Sequence, residues 1–166
     1  MTRYLVTETD GHCYGFATAE AAINNAGPCA RILATDNKGT STRPLADEES
    51  IVRNTRHVPG SRYDYDFTLC RNPKTCDWAQ IDTGSDAHYF GQWANPFTRT
   101  IVSYAEGDET TIKCCDDERF LAELQRIRAW HEKHDQWKGL DPWNDRLTER
   151  LVAAGAGDLL RRPSQH

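Results

Sequence analysis

Cysteine and histidine are the residues through which this chain could hold a metal. Cys70 and Cys76, joined by Cys114 and Cys115 or by a histidine, would give soft donors to a zinc-stabilised structural module. Structural zinc sites usually pair their ligands about two to four residues apart, and five residues separate Cys70 from Cys76. Adjacent residues of a strand face opposite ways, which keeps Cys114 and Cys115 from sharing an ion. Farther on, His131 and His134 in Trp130-His131-Glu132-Lys133-His134-Asp135 are three apart. A metalloprotease helix needs them four apart with glutamate beside the first. Both rings fall on the apolar stripe of a helix, where packing accounts for them, and no cofactor is assigned.

Nucleophilic chemistry would have to use Cys13, Cys76 or Ser85. A reactive thiol needs a neighbouring cation or helix N-terminus, and His12 points away from Cys13 on a strand. Ser85 lacks the glycine two positions later that a nucleophile elbow requires. Neither glycine-rich phosphate loop occurs, and Gly155-Ala156-Gly157 follows a helix instead of opening one. An enzyme would therefore have to assemble its polar site from the fold, with Asp86, His88, Glu106 and Asp108 as the candidates.

Charge narrows the partners further. The formal net charge is −5, which opposes general attraction to phosphate backbones. Arg119, Arg126, Arg128, Lys133 and Lys138 alternate with Glu118, Glu123, Glu132 and Asp135, the pattern of a solvated helix face and not of a nucleic-acid surface. The apolar runs fall far short of the ~20 residues that span a bilayer, and no signal-peptide core follows Met1. A cytoplasmic location is expected, with the six cysteines as thiols.

A protein-binding surface is the strongest expectation. Tyr89, Trp93 and Tyr104 offer large rigid contact area, and Glu106, Asp108 and Glu109 offer charge for steering a basic partner; the alternative is that the C-terminal helices cover this face as core, Trp93 and Tyr104 first. Oligomeric state is not legible.

The elements that would position these residues follow from turn chemistry and periodicity. Tyr4–Thr9 and His12–Phe16 flank Asp10-Gly11 as a two-residue hairpin. Thr18 caps a short helix that Gly27 ends in the left-handed region. A strand at Ala30–Thr35 turns at Asp36–Gly39 into a weaker one ended by Pro44, and Asp47-Glu48-Glu49 favours a helical turn between Leu45 and Asn54. The loop His57–Ser61 is the expected seam, so residues 1–166 form one domain divisible into sublobes 1–56 and 62–166. Strands follow at Arg62–Cys70, Trp78–Thr83, Ala87–Ala94, Arg99–Glu106 and Thr110–Cys114, with Gly107 in a type II′ turn.

Pairing Ala94 with Arg99 and Glu106 with Glu109 sorts this meander into two faces. Phe90, Ile101, Ala105, Ile112 and Cys114 form one; Tyr89, Trp93, Val102, Tyr104, Glu106, Glu109, Thr111 and Lys113 form the other. A helix from Asp116 carries an apolar stripe of Phe120, Leu124, Ile127, Trp130, His131, His134 and Trp137 up to Gly139, and Asp141-Pro142 starts a second helix. Strands before helices in both halves predict an α+β fold, an antiparallel meander with helices on one face.

The stretch Ile81–Phe120 resembles a family of small, uncharacterised proteins of bacterial chromosomes, plasmids and phages. The shared residues are Asp86-Ala87, Tyr89-Phe90-Gly91, Trp93, Asn95-Pro96 and Tyr104-Ala105-Glu106-Gly107-Asp108. His88 stands where that pattern has an aromatic residue. The resemblance implies a mobile-element accessory protein that acts by occupying a larger machine, such as a host defence or nucleic-acid-processing complex.

Overall fold

The computed structural model describes residues 2–36, 41–59, 69–84 and 90–162. Within them the chain builds two antiparallel sheets, of four and six strands, and three α-helices, the predicted α+β class.

The small sheet comes first. β1 (Arg3–Thr7), β2 (Cys13–Phe16), β3 (Arg31–Thr35) and β4 (Thr42–Arg43) lie in the order β2-β1-β3-β4. The opening hairpin is longer-looped than expected, because Thr7 and Cys13 are its last paired residues. Asp10 Oδ1 accepts from the His12 amide at 3.0 Å, Glu8 N donates to His12 O at 2.8 Å, and Gly11 takes φ +93°. The side-chain bond favours a loop with glycine in the left-handed position over a two-residue turn.

Thr18 Oγ1 accepts from Ala21 N at 3.1 Å and caps α1 (Ala19–Asn25) as anticipated. The helix end differs from expectation: Ala26 is extended and Cys29, not Gly27, takes the positive φ of 61°. Gly27 is required for space instead, since a Cβ there would lie 2.5 Å from Glu8 Oε2.

The chain crosses to the large sheet earlier than the expected seam. After a 3₁₀ turn at Asp47–Glu49 it enters β5 (Ile51–His57), which pairs along its whole length with β9. The predicted helical turn is therefore confined to Asp47–Glu49. The strand expected at Arg62–Cys70 lies outside the described residues except at its end.

β6 (Ala79–Asp82), β7 (Phe90–Asn95), β8 (Thr100–Ala105), β9 (Asp108–Cys114) and β10 (Gly139–Asp141) complete a sheet ordered β10-β6-β7-β8-β9-β5. The meander is real, but its register is offset by two: Ala94 faces Ile101, and Ala105 faces Asp108. A two-residue offset keeps the described side chains on their predicted faces. Glu106 and Gly107 both have positive φ, 50° and 92°, so the β8–β9 turn is type I′ and not II′.

α2 (Asp117–Lys133) begins at Asp116, whose Oδ1 accepts from Arg119 N at 2.8 Å. It stops at His134, short of Gly139, and Gly139 instead opens the unanticipated β10. α3 (Asp145–Ala153) is capped by Asn144 and not by Asp141. Phe120, Leu124, Ile127, Leu147 and Leu151 bury against Ala79, Ile81, Ala94, Ile101, Ile112 and Cys114, which puts α2 and α3 on one face of the large sheet. A second core joins Tyr4, Val6, Ile23 and Ile32 of the small sheet and α1 to Val52 and Cys115.

Candidate docking groove

The aromatic face expected to meet a partner is interior. Trp93 and Tyr104 are only 2% and 1% exposed, as sealed as Ile101 and Ile112 on the opposite face, and Val58, Leu69 and Trp78 pack against them. Burial as core, the alternative to a docking face for Trp93 and Tyr104, is what holds, with Val58, Leu69 and Trp78 and not the C-terminal helices as the cover. Gly91 makes room for this: a Cβ at that position would lie 2.5 Å from the Trp93 ring.

Glu109 is buried too, 2.9 Å from Arg56 and accepting from Thr111 Oγ1 at 3.0 Å. Glu106 and Asp108 remain exposed at the turn, with Asp108 3.5 Å from His57 Nδ1. Ser85, Asp86, His88 and Tyr89 lie outside the described residues.

The cysteines do not gather either. Cys70 and Cys76 form a disulfide, with Cα atoms 5.3 Å apart, in place of the free thiols expected. Asn144 Nδ2 ties that loop to α3 through Pro73 O at 3.0 Å and Cys76 O at 2.9 Å. Cys114 packs under α2 and Cys115 in the small-sheet core, and burial pushes their thiols up to about 12 and about 11. The disulfide occupies two of the thiols expected to hold zinc, and among the described residues no three potential ligands are clustered.

A different surface is left open, on the helix side of the sheet. Gln92, Ser103, Thr110 and Thr55 face one another in register across β7, β8, β9 and β5. Gln92 Nε2 donates to Ser103 Oγ at 2.9 Å, and the hydroxyls of Thr55 and Thr110 lie 3.0 Å apart. This polar row marks where the apolar core ends. Ala105, Asp108 and His57 in the row beyond it are exposed.

α2 closes one end of the row. His131 is 1% exposed and its Nε2 lies 2.7 Å from Gln92 Oε1. Because the Gln92 amide nitrogen is turned to Ser103, Nε2 carries the proton in that bond. Nδ1 is buried without a hydrogen bond. Burial holds the His131 pKa below its usual value, opposed by the neighbouring Gln136 side chain, so the ring is neutral.

Trp130, placed by periodicity on the buried stripe, is 51% exposed. Its ring stands edge-on to His131, centroids 4.9 Å apart, and stacks on His134 at 4.1 Å. Trp130, Gln92, Arg126, Ile127 and His131 line a cavity of about 240 Å³ between helix and sheet. Sequence reading singles out Arg126, Ile127, Trp130 and His131 but not Gln92, and gives no sign that they meet, because the contact depends on how far the sheet extends beneath α2.

Fold and groove together define an α+β protein with an aromatic, hydrogen-bonding recess at the margin of its main core. No family model matches the chain, and no curated protein or solved structure is significantly similar to it. Among the described residues no helix is long and apolar enough to cross a membrane.

Proposed function

We propose that the protein is a non-enzymatic binding protein that acts stoichiometrically, and that it docks a protein partner in the groove between α2 and β7. The observation that carries this reading is Trp130: a large aromatic ring half exposed beside a cavity whose floor is a fixed Gln92–His131 pair. Interface hot spots favour such an aromatic anchor next to buried, pre-organised polar groups. The exposed Glu106 and Asp108 provide a charged flank for a basic neighbour on the partner.

The cations nearby favour a protein over a nucleic acid. Arg126 is held 3.0 Å from Glu123 and Arg128 2.7 Å from Glu132, so little unbalanced positive charge faces outward. A host defence or nucleic-acid-processing complex is the first target to test, on the strength of the mobile-element resemblance.

Site-specific photo-cross-linking tests the reading against a built-in control. A photoreactive residue at Trp130 should capture a partner that the same residue at Trp143, also half exposed at 48%, does not. Equal capture from both positions, or undiminished partner binding by Trp130→Ala, would place the interface elsewhere.

A further inference from the structure

The cover over the aromatic face is anchored unevenly. Leu69 and Trp78 both pack on Trp93, Val102 and Tyr104, and the disulfide-bonded Cys70 and Cys76 stand just inside them in sequence. On one side the loop is fixed. Asn144, the cap of α3, donates to Pro73 O at 3.0 Å and to Cys76 O at 2.9 Å, Arg146 pairs with Asp77, and Trp78 leads directly into β6. The other arm lacks these ties: among the described residues, α3 makes no hydrogen bond or ion pair with Leu69, Cys70 or Arg71. The disulfide is the short link between the loose arm and the fixed one.

That bond is also open to exchange. Cys76 is 4% exposed but Cys70 only half-buried, and both line a cavity of about 280 Å³ beside the exposed Arg71. A thiolate attacks a disulfide at the sulfur it can reach, which here is Cys70 Sγ. The Arg71 guanidinium has no ion-pair partner among the described residues and attracts an anionic sulfur to the site. Cys76 Sγ lies 3.4 Å from Trp78 O. A thiol can donate to that carbonyl and a disulfide sulfur cannot, so the displaced cysteine has a place for its proton.

From this geometry we infer that the Cys70–Cys76 bond is a redox latch on the cover of the Trp93–Tyr104 face, closed by oxidation and opened by a dithiol reductant. One thiolate of the reductant attacks Cys70 Sγ, forms a mixed disulfide and releases Cys76, which takes up a proton. The second thiolate attacks the reductant's own sulfur in that mixed disulfide and releases Cys70, which is protonated in turn. Two electrons and two protons pass to the protein, and the reductant ends as a disulfide. The Leu69 arm then leaves while Trp78 stays, and an aromatic pair hidden in the oxidised protein becomes reachable. The latch lies on the sheet face opposite the groove and does not depend on it.

Hydroxyl-radical footprinting tests this on the oxidised protein, on protein reduced with dithiothreitol and desalted, and on the Cys70→Ser/Cys76→Ser double variant. Modification of Trp93 and Tyr104 should rise about tenfold on reduction, the double variant should match the reduced protein, and Phe120 in the core on the opposite face should stay protected. Leu69→Ala should raise modification of the same pair with the bridge intact. Resistance of the bond to dithiothreitol under native conditions, or equal protection of Trp93 and Tyr104 in both redox states, overturns the inference. So does exposure of Phe120 together with them, which would make the bridge a brace for the whole fold and not a latch on one face.

Discussion

Nε of Arg99 lies 3.0 Å from Oδ1 of Asp117, which ties the turn between β7 and β8 to the first turn of α2. Arg150 of α3 holds the same carboxylate, Nη2 at 2.6 Å from Oδ1 and Nη1 at 3.2 Å from Oδ2. Arg99 also donates to Ala30 O in the small lobe and to Cys115 O at 3.3 Å. One carboxylate thus organises two helices, a turn and the junction of the two sheets. Asp117→Ala leaves two arginine side chains, 11% and 13% exposed, without their counter-charge. A loss of about 3 kcal/mol is expected in urea unfolding. A loss under about 1 kcal/mol, the range of surface pairs, would show that the cluster ties nothing.

Acid should weaken the small lobe. The Arg43 guanidinium, then the Tyr4 hydroxyl and the Ala46 amide, hold the Glu49 carboxyl down at about 2. A carboxyl depressed on folding stabilises the fold above its unfolded range, and that contribution disappears as pH falls from the unfolded value, 4.5, through about 2. Asp117 acts with the same sign: burial raises its pKa, but the bonds from Arg150 and Arg99 outweigh burial. Stability measured from pH 6 down to 2 should decline, and Glu49→Gln should flatten the slope over that window. An unchanged slope in the variant would assign the decline to other carboxylates.

Thiol labelling should sort the cysteines by burial. Cys13 is exposed, Cys29 half-buried, and Cys114 and Cys115 buried with raised thiol pKa values. At pH 8 under native conditions, alkylation followed by peptide mass analysis should find Cys13 modified first and Cys114 and Cys115 untouched. In denaturant without reductant four cysteines should react, and six after reduction. Six reacting without reductant would refute the Cys70–Cys76 bridge.

Glu106 occupies a left-handed position that suits glycine or asparagine better. Glu106→Asn should raise stability by about 0.5 kcal/mol, read as a higher thermal midpoint. A fall would mean that the glutamate side chain stabilises the turn by a contact of its own.

Much of the architecture was legible because it is local. Thr18 and Asp116 are caps recognisable from two or three residues, and the parity of the meander survived an offset register. β5 was hidden by the acidic run Asp47-Glu48-Glu49, which favours a helix start, and by the polar outer residues of an edge strand. β10 is three residues long between helix-ending signals, too short to show any period. The groove was least legible. Trp130 and His131 are neighbours in sequence at the margin of one stripe, and only the extent of the sheet decides which ring is covered. Likewise, nothing local to Trp93 and Tyr104 states that Val58, Leu69 and Trp78 fold over them.

The seam between β5 and β9 bears on the order in which the chain assembles. Ile51 must find Cys114, and His57 must find Asp108, across an intervening stretch that includes β6, β7 and β8. During synthesis the small sheet can be complete while the next strand, β5, waits with both edges bare for a mate that has not left the ribosome. Long-range pairings of this kind are slow to form. Attachment of the two lobes is thereby a late event, and a chain cut before residue 108 would present an orphan strand.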